Sequence, residues 1–400
     1  MTEYDFYDED DYDDEPLSLE GAVILLSDPD MTAAELEAVA EVMQSARLSH
    51  GPIVDEFETA FAGYLGRRYA IAVPSGTIGL MLTLAAYKIG PGDEVITSSY
   101  SFRETSHAIS CSGATPVFAD IDYWAQTLIA DKVEAKITPR TRAIVACNVN
   151  GHPADWTSLR AVAEKHGLAL IEDSTEAIGS KYKHALVGTF GDVALFDFSQ
   201  PSPLNCGEGG MIVTDNVELA MALRRRRSHR IDQRGSVAVT VDPALQAEMS
   251  NIAAALGLAQ LNRLDEILEK RRLVEQLYYT HVQSFEGIKD PYIGPDVTEC
   301  HWFLYVVHLG TRFSKSSRDA IVEDLAVENV ESTGFCNPLH LQGHYYALGG
   351  RRGDLKVTEK VADRAVALPF HCHLTDRQIE FIVATMKDAS VNVGAGAAIY

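Results

Sequence analysis

The sequence has little positive charge. Lysine and arginine number 34 against 57 aspartate and glutamate residues, which gives a formal net charge of -23. Nucleic acids and anionic membranes would repel such a surface, so neither is expected as a partner. No apolar run approaches the roughly 20 residues that cross a bilayer, and the acidic N-terminus is unlike a signal peptide. These absences predict a cytoplasmic protein.

Cysteine is also scarce, with six residues in 400. They are widely scattered, and no pair has the spacing of a zinc ribbon or a redox dithiol. We therefore expect reduced thiols. A hydrophobic content of 46% is enough for a sizeable core, so disulfide bonds are not needed for folding. The length predicts two domains, or one large domain with an appendage.

Charge and periodicity divide the chain into three parts. Residues 1 to about 17 form an acidic block, which predicts a disordered tail or a docking tail for a basic partner. Residues 18–270 are assigned to a large domain, whose first helix begins at a capping box formed by Thr32 and Glu35. Residues 271–400 are assigned to a smaller domain.

Apolar runs alternate with helical patterns from about residue 69. The expected strands are Ala70–Val73, Glu94–Thr97, Thr115–Ile121, Ala143–Val149, Leu168–Glu172, Val193–Phe198 and Met211–Thr214, and the expected helices include Thr77–Tyr87, Asp155–His166 and Val217–Arg227. This alternation predicts an α/β fold with a mostly parallel sheet covered on both faces. A connecting helix, Leu258–Glu269, should lead to a small α/β domain with a strand at Phe303–Leu309 and helices at Ser317–Glu328 and Thr375–Met386.

A candidate anion site lies where the first of these strands meets a helix. Free backbone N–H groups and the helix dipole at Ser75-Gly76-Thr77 favour a phosphate. Taken alone, the same residues could be a tight turn in which Ser75 is an ordinary N-cap.

Several motifs in a fixed order support the phosphate interpretation. They are Ser75-Gly76-Thr77, Gly90-Pro91-Gly92-Asp93-Glu94-Val95, Gly113 to Asp122, Ile171-Glu172-Asp173, Gly207-Glu208-Gly209-Gly210, Leu256 to Leu261, Pro338-Leu339-His340 and Leu368 to His371. With these motifs the chain resembles the DegT/DnrJ/EryC1/StrS family of sugar aminotransferases from about residue 20 to 390. The resemblance implies a fold-type I transferase (aspartate aminotransferase-like) that uses pyridoxal 5'-phosphate (PLP) or pyridoxamine 5'-phosphate (PMP). It also implies a keto or amino sugar as substrate, and sites built from two chains of a dimer.

The resemblance assigns roles to individual residues. Gly76 and Thr77, with Ser75, would bind the cofactor phosphate, and Phe102 would stack on the pyridine ring. Asp173 would pair with the ring nitrogen and keep it protonated, so that the ring can accept electrons. A capping role at a strand-to-helix turn is the alternative for Asp173.

Four positions depart from the family pattern within this site. Ser202 stands where the family has its Schiff-base lysine, and a hydroxyl cannot form a Schiff base, so standard transamination should fail. Asp197 replaces a phosphate-binding serine, Glu176 replaces a glutamine, and Glu248 stands where an arginine of the neighbouring subunit's site is expected.

The candidate residues follow from these assignments and departures. Ser202, Asp173 and Glu176 are the candidate catalytic residues. Gln200, in the same segment as Ser202, is counted with Asp197 among the cofactor-binding residues.

Other charged groups of the sequence are candidates for replacing the Schiff-base lysine or for binding a metal or an anion. Lys181 and Lys183 are interpreted as surface residues of a hairpin. Asp173, Glu176 and Asp197 could together bind a cation, and the pairs His371/His373 and His340/His344 could suggest a metal, but structural roles are favoured and no metal site is expected. An arginine cluster comprising Arg224, Arg225, Arg226, Arg227, Arg230 and Arg234 could complement a helix dipole, bind a nucleotide diphosphate or form intersubunit ion pairs.

Three hypotheses for function remain. The first is an enzyme that holds PLP or PMP without a covalent bond, with His107 or His184 as a possible base. The second is a cofactor-free regulatory subunit paired with an active paralogue, which would make a heterodimer rather than a homodimer. The third is acid-base or metal-assisted chemistry in a carboxylate-rich pocket.

Overall fold

The computed structural model describes residues 23–228, 243–282 and 288–394. The predicted acidic tail, Arg230 and Arg234 lie outside these ranges. No helix within the described ranges is long and apolar enough to cross a membrane.

A seven-stranded sheet forms the centre of the large domain. Its strands are β1 (Tyr69–Val73), β2 (Glu94–Ser98), β3 (Thr115–Ala119), β4 (Thr141–Cys147), β5 (Ala169–Asp173), β8 (Val193–Asp197) and β9 (Gly210–Thr214). They lie in the order β1-β9-β8-β5-β4-β2-β3, and only β9 runs antiparallel to its neighbours. The predicted α/β fold with a mostly parallel sheet is confirmed.

The helices of the large domain cover this sheet. They are α1 (Ala33–Met43), α2 (Pro52–Leu65), α3 (Gly76–Ala86), α4 (Arg103–Cys111), α5 (Ala130–Glu134), α6 (Trp156–His166) and α7 (Val217–Arg227). The capping box predicted from Thr32 and Glu35 is present at the start of α1. Apolar side chains of the strands and helices fill the space between the layers, as expected for a sheet buried on both faces.

The predicted single connecting helix Leu258–Glu269 is wrong. The structure has two helices there, α8 (Asn251–Asn262) and α9 (Leu264–Val282), which are separated at Arg263. The Arg263 guanidinium bonds to the carboxylates of Asp30 and Glu35, at 3.2 and 2.7 Å, so this position is held by partners more than 200 residues away. The predicted domain boundary at 270/271 falls inside α9.

The small domain is built on a second sheet. Its strands β10 (Ile288–Lys289), β12 (Tyr305–Leu309), β14 (Ala365–Leu368) and β13 (Thr333–Gly334) lie in that order. Its helices are α10 (Lys315–Val327), α11 (Gly343–Ala347), α12 (Lys356–Ala362) and α13 (Asp376–Gly394). A hairpin of β6 (Lys181–Tyr182) and β7 (Ala185–Leu186) forms a third small sheet with β11 (Val297–Glu299).

Buried contacts join α9 to the small domain. The fully buried Tyr278 stacks on Tyr305, with ring centroids 4.2 Å apart, and its hydroxyl donates to the Pro369 carbonyl at 2.6 Å. Arg271 donates to the carbonyl oxygens of Phe370, Trp302 and Phe303. These bonds fix the small domain against the long helix that leaves the large one.

Candidate active site

A cavity of about 710 Å³ lies at the carboxyl ends of the parallel strands. Asp173 closes β5 and Asp197 closes β8, while the first turn of α3 forms the adjoining wall. Residues 333–337 and Leu339, from the small-domain part of the chain, line the opposite side. The cavity therefore has the position in which open α/β sheets place ligands, outside the carboxyl ends of the strands.

Asp173 presents a carboxylate to this cavity. The hydroxyl of Thr105 donates to its Oδ2 at 2.9 Å, and the Thr175 N–H donates to its Oδ1 at 3.2 Å. The Cys147 thiol lies 3.8 Å from Oδ2. Desolvation raises the pKa of Asp173, and the hydrogen bonds from Thr175 and Thr105 oppose that rise. Ser174, and not Asp173, is the N-cap of the 3-10 helix Thr175–Ala177, so the alternative role of Asp173 as a helix N-cap is wrong.

Glu176 lies beside Asp173, in the 3-10 helix Thr175–Ala177. The N–H of Asn150 donates a short hydrogen bond to its Oε2. Burial raises the pKa of Glu176 to about 8, and the nearby negative charge of Asp173 adds to the effect. The raised pKa favours the protonated form of Glu176 at neutral pH.

Asp197 occupies the N-terminus of α3. Its Oδ2 accepts a hydrogen bond from the Gly76 N–H at 2.7 Å, and its Oδ1 accepts from the N–H and hydroxyl of Ser199 at 2.9 and 2.6 Å. Ser75 caps the same helix by accepting from the Ile78 N–H. A carboxylate of the chain itself thus takes one of the N–H groups that a bound anion would use.

Eight of the nine predicted site residues line the cavity: Ser75, Gly76, Thr77, Phe102, Asp173, Glu176, Asp197 and Gln200. Phe102 is 42% exposed, and its ring makes an edge contact with Phe303. Ser202 does not line the cavity, although Pro201 beside it does. The buried Ser202 hydroxyl has no hydrogen-bond partner within the described part of the chain.

The wall of the cavity is strongly acidic. It includes five carboxyl groups, those of Glu104, Asp173, Glu176, Asp197 and Glu208. Arg103 is the one cationic side chain that lines it among the described residues, and it is ion-paired with Glu104 at 2.9 Å. No described lysine reaches this wall.

The other candidate amines and bases lie elsewhere. Lys181 and Lys183 pair with Glu299 and Asp296, at 2.5 and 3.3 Å, on the β6–β7 hairpin. His107 stacks against Tyr345 instead of lining the cavity. His184 is also absent from the lining residues. The interpretation of both lysines as surface residues agrees with these contacts.

Neither the histidine pairs nor Asp173, Glu176 and Asp197 form a cluster that could hold a metal ion among the described residues. Within residues 23–228, 243–282 and 288–394, no group of three or more His, Cys, Asp or Glu side chains has an arrangement that could hold a metal ion. His340 instead bonds to Ser99 at 2.7 Å and to Glu359 at 3.2 Å. The rings of His371 and His373 lie 6.1 Å apart.

Two further predictions concern segments that were expected to contact a second subunit. Arg224 and Arg227, of the arginine cluster, both bond to the buried carboxylate of Glu58, so this part of the cluster makes ion pairs within the chain. Glu248 accepts a hydrogen bond from the Ser228 hydroxyl at 2.6 Å and does not line the cavity of its own chain.

Sequence reasoning missed three neighbours of the central carboxylates. Thr105, Cys147 and Asn150 approach Asp173 and Glu176 from α4, β4 and the loop that follows β4. Cys147 and Asn150 could have been found because they lie at the end of, and just after, the strand next to β5, where side chains at the carboxyl edge converge. Thr105 carries no comparable signal.

Comparison with known proteins gives consistent results over most of the chain. The model of the DegT/DnrJ/EryC1/StrS aminotransferase family matches residues 29–387. The spore coat polysaccharide biosynthesis protein SpsC of Bacillus subtilis is 35% identical over 88% of this chain and 94% of its own length. GDP-perosamine synthase of Caulobacter vibrioides is 35% identical over 92% and 98%. The PMP form of Spr1654 from Streptococcus pneumoniae superimposes with a TM-score of 0.88 at 26% identity, over 94% of this chain and 100% of that one.

Proposed function

Because the chain belongs to the DegT/DnrJ/EryC1/StrS aminotransferase family, whose members depend on PLP or PMP, we propose that it binds this cofactor without a covalent bond. The reaction it serves acts on an amino or keto sugar and is not a standard transamination, because Ser202 stands at the lysine position. The relationship to GDP-perosamine synthase supports a sugar substrate. The observation that carries the proposal is the carboxylate of Asp173, held by Thr105 and Thr175 at the wall of the cavity.

The part of the cavity around Asp173 and Phe102, where the pyridine ring would lie, fits the cofactor. Asp173 has two donors that hold the carboxylate in place, and desolvation by burial raises its pKa. The one described cation that lines the cavity, Arg103, is paired with Glu104 and not with Asp173. A protonated pyridine nitrogen would supply the missing positive charge and favour the ionised carboxylate. Phe102 supplies an aromatic ring on the same wall.

The part of the cavity at the N-terminus of α3, where the cofactor phosphate would bind, fits the cofactor less well. Asp197 already accepts the hydrogen bond of the Gly76 N–H, and its charge would repel a phosphate at the same helix terminus. A phosphorylated ligand must therefore displace this carboxylate or bind with it protonated. Both requirements weaken binding, so we propose that the cofactor exchanges readily with solvent.

The cofactor, when bound, supplies an electron sink. The chain itself supplies a fixed negative charge at Asp173 and a proton at Glu176, whose pKa of about 8 leaves it able to give or take a proton near neutral pH. Ser202 supplies neither an amine nor a base. Glu176 is thus the proposed proton carrier in the place of the lysine.

A binding titration of the cofactor-free protein tests the proposal. PMP should bind saturably by calorimetry, and Asp173→Asn should weaken binding by roughly 10- to 100-fold, as expected for the loss of one hydrogen bond to a charged group. Asp131→Asn, on the exposed helix α5, is the matched control and should leave the affinity unchanged. Equal binding by the Asp173→Asn variant would contradict the proposal.

The contacts of Asp197 favour a second candidate, a cofactor-free subunit that binds or regulates an active paralogue. In that case neither PLP nor PMP should bind the native protein at all. Asp197→Ser frees the Gly76 N–H and removes the charge, so PLP binding that appears only in this variant would support the second candidate over the first.

Assembly and location form part of the proposal. We propose a homodimer, with a heterodimer as the alternative, because sites of this class are completed by a second chain and the ring of Phe102 is 42% exposed in a single chain. Sedimentation analysis of the purified protein measures this directly. All six cysteines are free, which supports a reducing, cytoplasmic location.

A further inference from the structure

A second cavity, of about 830 Å³, opens on the surface of the small domain. We call it the basic basin and define it by six cations and three carboxylates. They are Arg312, Lys315, Arg352, Lys356, Lys360 and Arg364, with Asp319, Glu359 and Asp363. The basin lies at the N-terminus of α10, where Ser314 caps the helix. A cationic surface is unexpected on a chain with a net charge of -23.

Only some of the cations in the basic basin are paired with carboxylates of the described residues. Lys315 pairs with Asp319 at 2.5 Å, and Arg352 pairs with Asp363. No ion pair joins Arg312, Lys356 or Lys360 to a carboxylate of the described residues, and all three side chains are exposed. The N-terminal dipole of α10 adds positive potential at the same place. The basin therefore favours an anionic partner.

The chain carries such a partner at its own N-terminus. Residues 1–22 contain ten aspartate and glutamate residues and no lysine or arginine. They also include Tyr4, Phe6, Tyr7 and Tyr12, whose rings can stack on guanidinium and ammonium groups.

The segment is attached close enough to reach the basin. Ile24 bridges to Val330, just beyond the C-terminal end of α10, so the described chain starts on the small domain itself. Helix α10 has 13 residues and is about 20 Å long. A 22-residue segment spans up to roughly 70 Å when extended. Attachment to the same chain also gives the segment a high local concentration at the basin.

The arginine cluster on α7 is a less suitable site for the same segment. Arg224 and Arg227 are both engaged by Glu58, and the Arg227 side chain is buried. The basin, in contrast, has three exposed cations without a carboxylate partner among the described residues.

We propose that residues 1–22 bind to the basic basin of their own chain, through ion pairs between their carboxylates and Arg312, Lys356 and Lys360. The acidic segment is then an internal ligand of the small domain, and an external polyanion would compete with it for this surface. This interaction is independent of whether the cavity of the large domain holds a cofactor.

Carbodiimide cross-linking of the full-length protein tests the proposal, because this reagent joins carboxylates to amines that are in contact. Mass spectrometry should find peptides from residues 1–22 joined to Lys356 and Lys360 in excess over Lys132 and Lys136, which are also exposed but lie on and just beyond α5. The excess should disappear at about 0.5 M salt, where the Debye length shrinks to roughly 4 Å.

Three results would overturn the proposal. The first is cross-linking distributed equally over the exposed lysines, and the second is a pattern unchanged by salt. The third is cross-linking between differently isotope-labelled copies in a mixed sample, which would assign the contact to a second molecule.

The variant Lys356→Glu/Lys360→Glu should release the segment, shown by faster proteolysis of residues 1–22, whereas Lys132→Glu/Lys136→Glu should not.

Discussion

Replacing Glu176 with glutamine should remove a pH-dependent loss of stability. Burial raises the pKa of Glu176 to about 8 in the folded chain, against an ordinary value of 4.5. Between these values the unfolded chain has lost the proton and the folded chain still holds it, so stability falls as the pH rises. Above the folded pKa the carboxylate is ionised in both states and the loss is complete.

The magnitude follows from the two pKa values. With 1.36 kcal/mol per pKa unit, the full shift corresponds to on the order of 5 kcal/mol, of which about 4 kcal/mol develops between about pH 5 and pH 8.5. Glutamine has nearly the same shape and no ionisation. The variant should therefore be more stable than the native chain by several kcal/mol at the alkaline end, with a much smaller difference at the acidic end.

Urea unfolding followed by circular dichroism at a series of pH values measures this difference. The free energies of unfolding of the native chain and Glu176→Gln should diverge steadily as the pH rises from 5 toward 8. A constant difference across this range would refute the assignment of a raised pKa to Glu176. If the native chain instead gained stability relative to the variant as the pH rises, the pH dependence would be opposite to the predicted one. That result would also refute the raised pKa of Glu176.

Two further substitutions test the packing that supports the site. Glu58→Gln leaves the buried Arg227 without its charged partner and should destabilise the fold by about 3–5 kcal/mol in urea unfolding, whereas Glu56→Gln, exposed on the same helix, should have no measurable effect. Tyr278→Phe removes the hydrogen bond to the Pro369 carbonyl but keeps the ring stacking, so it should cost about 1–2 kcal/mol. A loss as large as that of Glu58→Gln would show that Tyr278 contributes more than this hydrogen bond.

Local patterns in the sequence predicted most of the large domain. Helix α7 has the predicted bounds Val217–Arg227, because an Asn216 cap and a basic last turn are both local signals. The break at Arg263 could not be predicted in the same way. Arg263 forms ion pairs there with Asp30 and Glu35, which come close to it only in the folded chain.

In the candidate site, too, contacts between residues far apart in the sequence could not be predicted. The motifs assigned Asp173, Glu176 and the α3 N-terminus to one site, and these residues line one cavity. They meet there because the strand ends of a parallel sheet share one edge. The sequence indicated that Asp197 stands where the family has a phosphate-binding serine. It could not show that the Asp197 carboxylate accepts from the Gly76 N–H, 121 positions earlier, since this bond depends on how β8 meets α3.

The proposal that this chain binds its cofactor without a covalent bond can be tested directly. PLP is added to the native protein, borohydride is used to trap any covalent adduct, and the intact mass is measured before and after dialysis. Saturable binding that is lost on dialysis, with no gain in mass after reduction, is the predicted result. A stoichiometric gain in mass that peptide mapping assigns to one lysine would contradict the account, because an amine of the chain would then perform the role that Ser202 cannot.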